Sequence, residues 1–322
     1  MVHLRIVLPT DCYEAALTVL DCTPSVCNII SLRGAAQRPT GDVILCDVAR
    51  EEVSVVIDDL RGLGIDETGS ISLEMVDSEV SRVGRAAEAA AKGTPADAVI
   101  WEDVVARTAD ESTLSTVYLI FMVVAMIIAA VGIFLNSPIL IVGAMVVGPE
   151  FGPVAGVCVG IVQRRYRAAL RSLIALAVGF PLAISATVLL VLILKAAGVT
   201  PEAFSGADHT LSASIASPDV FAVIVAFCAG VAGMLSLTSA KSGALIGVLI
   251  SVTTIPAAAN VAVSFVYQDW EAWRGSQLQL ALNLGVILLA GLLTLGLQRR
   301  SYHRRRARHT AMLANASGRQ SA

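Results

Sequence analysis

Two kinds of hydrophobic patterning divide the chain. Over the first 80 residues, apolar positions come in short runs. Residues 3–9, 26–32, 42–48 and 70–76 read as strands, the last in strict alternation. Between them Tyr13–Leu20 and Glu51–Leu63 have helical spacing, with Val53, Val56, Ile57 and Leu60 on one face. The stretch from Gly34 to Gly41 reads as a loop. The order βαββαβ is that of the ferredoxin-like plan, in which two helices cover one face of a four-stranded sheet. That plan hosts regulatory, ligand-binding and oligomerising roles, so it licenses no activity alone. Residues 81–114 follow as a helical connector, broken at Gly93-Thr94-Pro95 and resumed at Trp101. The Trp101 indole suits either the lipid headgroup layer or packing against the first module.

From residue 115 the pattern changes to long apolar runs. No Asp, Glu, Lys or Arg occurs between Glu111 and Glu150, Arg171 and Lys195, Asp219 and Lys241, Lys241 and Asp269, or Arg274 and Arg299. A membrane span needs about 20 apolar residues. Six are expected, at 116–135, 138–162, 169–196, 218–237, 242–266 and 278–298. The fold class is therefore a polytopic α-helical membrane protein with an N-terminal α+β domain. Its expected parts are a ferredoxin-like cytoplasmic domain at 1–80, a connector at 81–114, a six-helix membrane domain at 115–298 and a basic, disordered tail at 299–322. With 56% hydrophobic and 15% charged residues, the composition excludes a wholly soluble protein.

Charge predicts the orientation. Residues 1–112 hold 20 acidic against 9 basic residues, and the remainder 6 against 14. With the N-terminus inside, the inner loops carry Arg164, Arg165, Arg167, Arg171 and Lys241, followed by the arginines of the tail. The outer loops hold only Arg274, with Lys195 at a border. By the positive-inside rule both termini are cytoplasmic. The run His3–Pro9 is too short and too soon charged for a signal peptide. Basic residues without interleaved aromatics argue against nucleic-acid binding. Cys12, Cys22, Cys27 and Cys46 match no zinc spacing and read as free thiols in a reducing compartment, so neither metal nor cofactor is expected.

Two spans are interrupted. Gly148-Pro149-Glu150-Phe151-Gly152-Pro153 lies in the second and Thr253-Thr254-Ile255-Pro256 in the fifth. At about 1.5 Å per residue, Glu150 and Pro256 lie roughly 18 and 21 Å into their spans, near the middle of a ~30 Å layer. Backbone freed by proline at that depth is tolerated only inside protein or against a cavity. Asn136-Ser137-Pro138 makes a tight turn in which Ser137 caps the next helix, and Ser217-Pro218 repeats the device. Ala129–Gly132 resembles Ala229–Ala232, and Val142–Val146 resembles Ile246–Ile250, at offsets of 100 and 104. Spans one to three and four to six thus read as a 3+3 inverted repeat, a pattern that points to a transporter site.

The stretch Ile128–Pro153, with its Asn-Ser-Pro, Gly-Ala-Met and Gly-Pro elements, together with Ala240–Val248 and Ile255-Pro256, resembles the bacterial hydrophobic membrane family catalogued as domain of unknown function 389. The likeness covers about residues 115–298. It implies a membrane protein and no particular activity. Many members carry an apolar residue where this chain has Glu150, so a mechanism common to the family does not rest on that carboxylate.

Glu150 is the one acidic residue deep inside a span, where a charge costs roughly 2.5–3.5 kcal/mol on insertion scales. One reading is an ion or substrate site at the breaks, built from Pro149, Glu150, Pro153 and Pro256 with oxygens from Thr253, Thr254 and Asn260. The other is a cap, with Glu150 offsetting the positive end of a half-helix. Lys241, Arg304, Arg305 and Arg306 suit anionic lipid headgroups or another anion at the cytoplasmic face. Gly152, Gly156 and Gly160 form a smooth stripe for helix packing. All four histidines lie outside the spans, and no enzymatic activity is expected. The function expected is a transporter or channel-like protein for a small solute or ion. Its cytoplasmic domain regulates it or holds a homo-oligomer together. The alternative is a membrane-anchored sensor or scaffold whose soluble domain binds a ligand or partner.

Overall fold

The computed structural model describes residues 1–76, 78, 80–91, 98–201, 204, 209–239 and 246–320. It forms two compact units, one of residues 1–102, 238–240 and 298–322, the other of residues 103–237 and 241–297.

The first unit is built from β1 (Val2–Leu8), α1 (Tyr13–Asp21), β2 (Val26–Gln37), β3 (Thr40–Val48), α2 (Val53–Gly62), the short α3 (Ile65–Thr68), β4 (Ser70–Met75) and α4 (Arg82–Ala90). Its sheet has the order β2-β3-β1-β4 and is antiparallel throughout, with Ile6 paired to Ile44 on one side and Ile71 on the other. The two-residue period of β1 sends Val2, Leu4, Ile6 and Leu8 to one face. There they meet Ala16 and Leu20 of α1 and Val53, Val56, Ile57 and Leu60 of α2 in one buried cluster.

The loop expected at Gly34–Gly41 is instead mostly strand. β2 and β3 pair to their ends, Ala36 with Gly41 and Gln37 with Thr40, across a two-residue turn. Gly34 takes φ +65° inside an irregularity between Leu32 and Ala36, and its N–H reaches Asp42 Oδ1 at 2.6 Å. Glycine and polar residues hide a strand whose stability comes from ladder bonds and not from apolar alternation. Trp101 packs within this unit: it is 5% exposed and its N–H donates to Ser54 Oγ. Glu102 accepts from Ser54 and Arg61. That decides between the two places read for the indole.

The second unit holds α5 (Trp101–Glu111) from Asp103 onward, then α6 (Thr116–Phe134), α7 (Pro138–Val147), α8 (Phe151–Val162), α9 (Tyr166–Ala196), α10 (Thr210–Ile215), α11 (Val220–Thr238), α12 (Ile246–Val266) and the first part of α13 (Trp270–Gln320). Among the described residues α6, α9, α11 and α13 are long and apolar enough to cross a membrane, and α7 with α8, bent by 49° at their junction, form a broken span or a re-entrant loop, a fifth span in the first case. The chain is a multi-pass membrane protein. The break expected at Gly148–Glu150 is present. The one expected at Pro256 is not, since α12 runs from Ile246 to Val266 with Pro256 inside it. A helix enclosed by neighbours tolerates the lost backbone bond without ending.

α12 is that enclosed helix. From Thr254 to Ser264 every side chain is at least nine-tenths buried, and Ala257, Ala258, Ala259 and Ala262 let neighbours approach closely. Several helices end in the same way. Asn136, Arg164, Gly198 and Gln268 take positive φ, and the following N–H reaches back to the carbonyl of Gly132, Gly160, Leu194 or Ser264, the Schellman closure. In α13 the helix continues through Gln320, where the sequence reads as an irregular tail from residue 299.

Candidate functional site

Gly148 ends α7 in an extended conformation, Pro149 follows, and Glu150 occupies the N-cap position of α8. Proline cannot extend α7 and suits a helix start, so the sequence Gly-Pro places the bend. Glu150 makes no side-chain capping bond to α8. Its Oε1 instead accepts a hydrogen bond from Thr254 Oγ1 of α12, at 2.8 Å, and both residues are 0% exposed. An acid at a half-helix N-terminus still benefits from the dipole, yet its hydrogen bond is made across the helix interface. Two of the residues read as site candidates, 104 positions apart in sequence, are thus in direct contact.

Pro153 is buried in the first turn of α8, and Pro256 follows Thr254 within α12. The side chain of Thr253 lies outside the described residues. Asn260 does not reach Glu150. It stands six positions along α12, about 9 Å, where Oδ1 accepts from Ser212 Oγ of α10 and Nδ2 donates to Ser276 Oγ of α13, both at 2.8 Å. Beside the bend a cavity of about 360 Å³ is lined by Glu111, Ser115, Tyr118, Pro149 and Gly152 among others. The glycine stripe seats neighbours: a Cβ on Gly152 would lie 2.7 Å from Glu111, and one on Gly160 2.7 Å from the Ala169 nitrogen.

This bent α7–α8 pair and the helix against it form the region that matches a known family. Residues 145–289 match the model of the family described as Domain of unknown function (DUF389). The resemblance to that family holds. The matched stretch is shorter than the expected 115–298, but it holds Glu150, Thr254 and Asn260 and leaves out the N-terminal unit. The chain is also 24% identical over 204 residues to an uncharacterized protein of Methanocaldococcus jannaschii, an alignment covering 59% of this chain and 58% of that protein. The chain therefore spans less than two thirds of the relative's length. No solved structure matches it.

Also inside the matched region are polar residues that the hydropathy pattern does not single out. Ser276, Gln279 and Asn283 are buried on α13, and Gln279 Nε2 donates to Asn283 Oδ1 at 3.1 Å. Their spacing of three and four is the available signal, masked when the sixth span is begun at residue 278.

The turn residues are where the sequence places them, with one change of partner. Asn136 takes φ +48° and Pro138 opens α7. The Ser137 hydroxyl makes no cap bond. The Asn136 side chain binds Thr210 Oγ1 and the Leu211 N–H of α10. Before α11 the capping oxygen belongs to Asp219, which accepts from Ala222 N–H, while Ser217 Oγ turns back to Ala213. Of the residues read as anion or lipid contacts, Lys241 lies outside the described residues, as does the side chain of Arg305. Arg304 is exposed. Arg306 pairs with Asp58 at 3.0 Å, beside a 2.5 Å bond from Tyr302 to the same carboxylate. Its charge is therefore engaged by protein and not by lipid alone.

Proposed function

We propose that the protein moves a small solute or ion across the plasma membrane of a bacterium through the junction of the α7–α8 bend with α12. Both termini are cytoplasmic in this reading. Six spans take part, α12 being the sixth apolar segment, arranged as two inverted halves. The N-terminal unit follows the ferredoxin-like plan, to which its strand order corresponds, and regulates the junction or assembles a homo-oligomer. No enzymatic step is involved.

The observation that carries the reading is the fully buried Glu150–Thr254 bond at the bend. A carboxylate among apolar helices is costly, and where one occurs it marks a substrate or ion pathway by default. The bend adds backbone groups that helical bonding does not use. A second reading draws on the same burial: a dry, sealed contact is what a membrane-anchored sensor or scaffold would have, with the N-terminal unit binding its ligand or partner.

Cysteine accessibility separates the two. In a full-length protein stripped of its native cysteines, Phe151→Cys and Thr254→Cys are treated with a charged, water-soluble thiol reagent. Transport requires that water reach both positions during cycling, so modification is expected and should be faster when the membrane is opened to both sides. Complete protection of both would leave only the anchored reading.

A further inference from the structure

α12 and α13 run antiparallel across the turn at residues 267–269, and the Asn260–Ser276 bond fixes their register. Moving away from the turn, Gln279 and Asn283 lie about 4.5 and 10.5 Å beyond Ser276, and Thr254 lies about 9 Å beyond Asn260. Asn283 and Thr254 therefore stand at nearly one level, and Thr254 is bonded to Glu150. Ser264 lies about 6 Å from Asn260 towards the turn. At 100° per residue, Ser276, Gln279 and Asn283 fall within about 60° on α13, the side that the Ser276 bond turns towards α12.

A buried polar seam thus leads from the hairpin turn to the carboxylate, about 15 Å along α12 from Ser264 to Thr254. At 100° per residue it turns about 120° around α12 between Asn260 and Thr254, past the buried Ala257. It is not fully satisfied as a structural network. Among the described residues, neither Ser264 Oγ nor Gln279 Oε1 has a hydrogen-bond partner, although Ser264 is 0% and Gln279 7% exposed. Leaving buried oxygens unbonded is unfavourable, and apolar residues would avoid it.

We propose that this seam is the route between the hairpin end of the membrane unit and Glu150, and that it carries a dehydrated monovalent metal cation. The proposal rests on the transport reading above and names its cargo. Amide and hydroxyl oxygens are hard ligands suited to such ions, whereas soft metals call for thiolate or imidazole. The single carboxylate at the end balances one positive charge. A divalent ion would keep an uncompensated charge in a low dielectric, and an anion would be repelled. Proton relay calls for titrating groups along the path, and Ser264, Asn260, Ser276, Gln279 and Asn283 do not titrate.

The test is uptake of radioactive sodium or rubidium by liposomes containing the full-length protein, with calcium uptake and a trapped pH dye as parallel arms. The wild type should take up sodium or rubidium. Gln279→Leu should reduce uptake to that of protein-free liposomes; because it also removes the bond to Asn283, uptake is expressed per folded molecule. A merely structural Gln279 would leave uptake per folded molecule unchanged. Should Gln279→Leu not fold, Ser264→Ala, which removes only an unbonded hydroxyl, decides by the same loss of uptake. Wild-type rates in these variants overturn the seam and leave transport standing. Uptake of calcium or protons alone overturns the choice of cargo. No uptake in any arm of the wild type overturns the transport reading itself, and the seam with it.

Discussion

A methyl group on Gly152 would sit 2.7 Å from both the Cβ and the carbonyl oxygen of Glu111, a distance that backbone cannot yield without moving α5 from α8. Gly152→Ala should therefore destabilise the membrane unit by roughly 1–3 kcal/mol, the usual range for overpacking. Gly143, where a methyl would meet nothing within 4 Å, is the matched control: Gly143→Ala should stabilise by about 0.5–1 kcal/mol through helix propensity. Unfolding midpoints in detergent compare the two. Glu111 makes a second prediction. Burial pushes its carboxyl above the usual range, assisted by Asp110 and opposed by Arg107. A raised folded-state value means that the ionised form is disfavoured in the fold, so Glu111→Gln should stabilise at pH 7. Below the ordinary value of 4.5 the side chain is neutral in both states, and the advantage of the variant should vanish. A gain independent of pH would show that packing, not charge, is responsible. Cys46 is similar: burial raises its thiol to about 12, so in the folded protein it should resist alkylation at pH 8 and react only on denaturation.

At the scale of elements, the α11 start is a test of which oxygen caps. Asp219 accepts the Ala222 N–H at 2.7 Å, whereas Ser217 is bonded backwards to Ala213. Asp219→Ala should cost about 1 kcal/mol, as cap deletions do, and Ser217→Ala should change the unfolding midpoint little. The sequence pair Ser-Pro named the turn correctly and the capping side chain wrongly, because both residues are favoured caps and only the path of the chain distinguishes them. The two proline motifs show a similar limit. Gly148-Pro149 was legible as a break, since glycine and proline together end one helix and start the next. Pro256 was not legible as a residue inside an intact helix, because the neighbours that enclose α12 are remote in sequence. Glu150 stood out as a lone acid in an apolar run, and its partner Thr254 followed from the second motif. Gln279 and Asn283 did not stand out, since uncharged amides scarcely interrupt a hydropathy window and their significance lies in facing α12.

Over the whole molecule, hydropathy marked where the apolar segments lie but not which is central. α9 exposes Leu170, Leu173, Leu189 and Leu192, while α12 exposes almost nothing between Thr254 and Ser264. The available sign was side-chain size: alanines favour helix contact, and branched side chains suit lipid. The two ends of the membrane unit also differ in kind. At one, Phe134 and Phe204 meet Tyr267 with Lys195 over its ring, and Trp270 and Trp273 pack edge to face. At the other, the α8–α9 turn presents Arg164 and Arg165, followed by Arg167 in α9. Aromatic rings favour both membrane interfaces and assign no side, whereas arginines in short loops are retained in the cytoplasm. The prediction is therefore made on the arginine turn. In a cysteine-free, full-length protein in intact cells, an impermeant maleimide should label Thr200→Cys, at the aromatic end, and should label Arg165→Cys only after the membrane is permeabilised. The reverse pattern would place the aromatic end inside and require another determinant of orientation than loop charge. Equal labelling of both before permeabilisation would mean that α9, between the two positions, does not cross the bilayer.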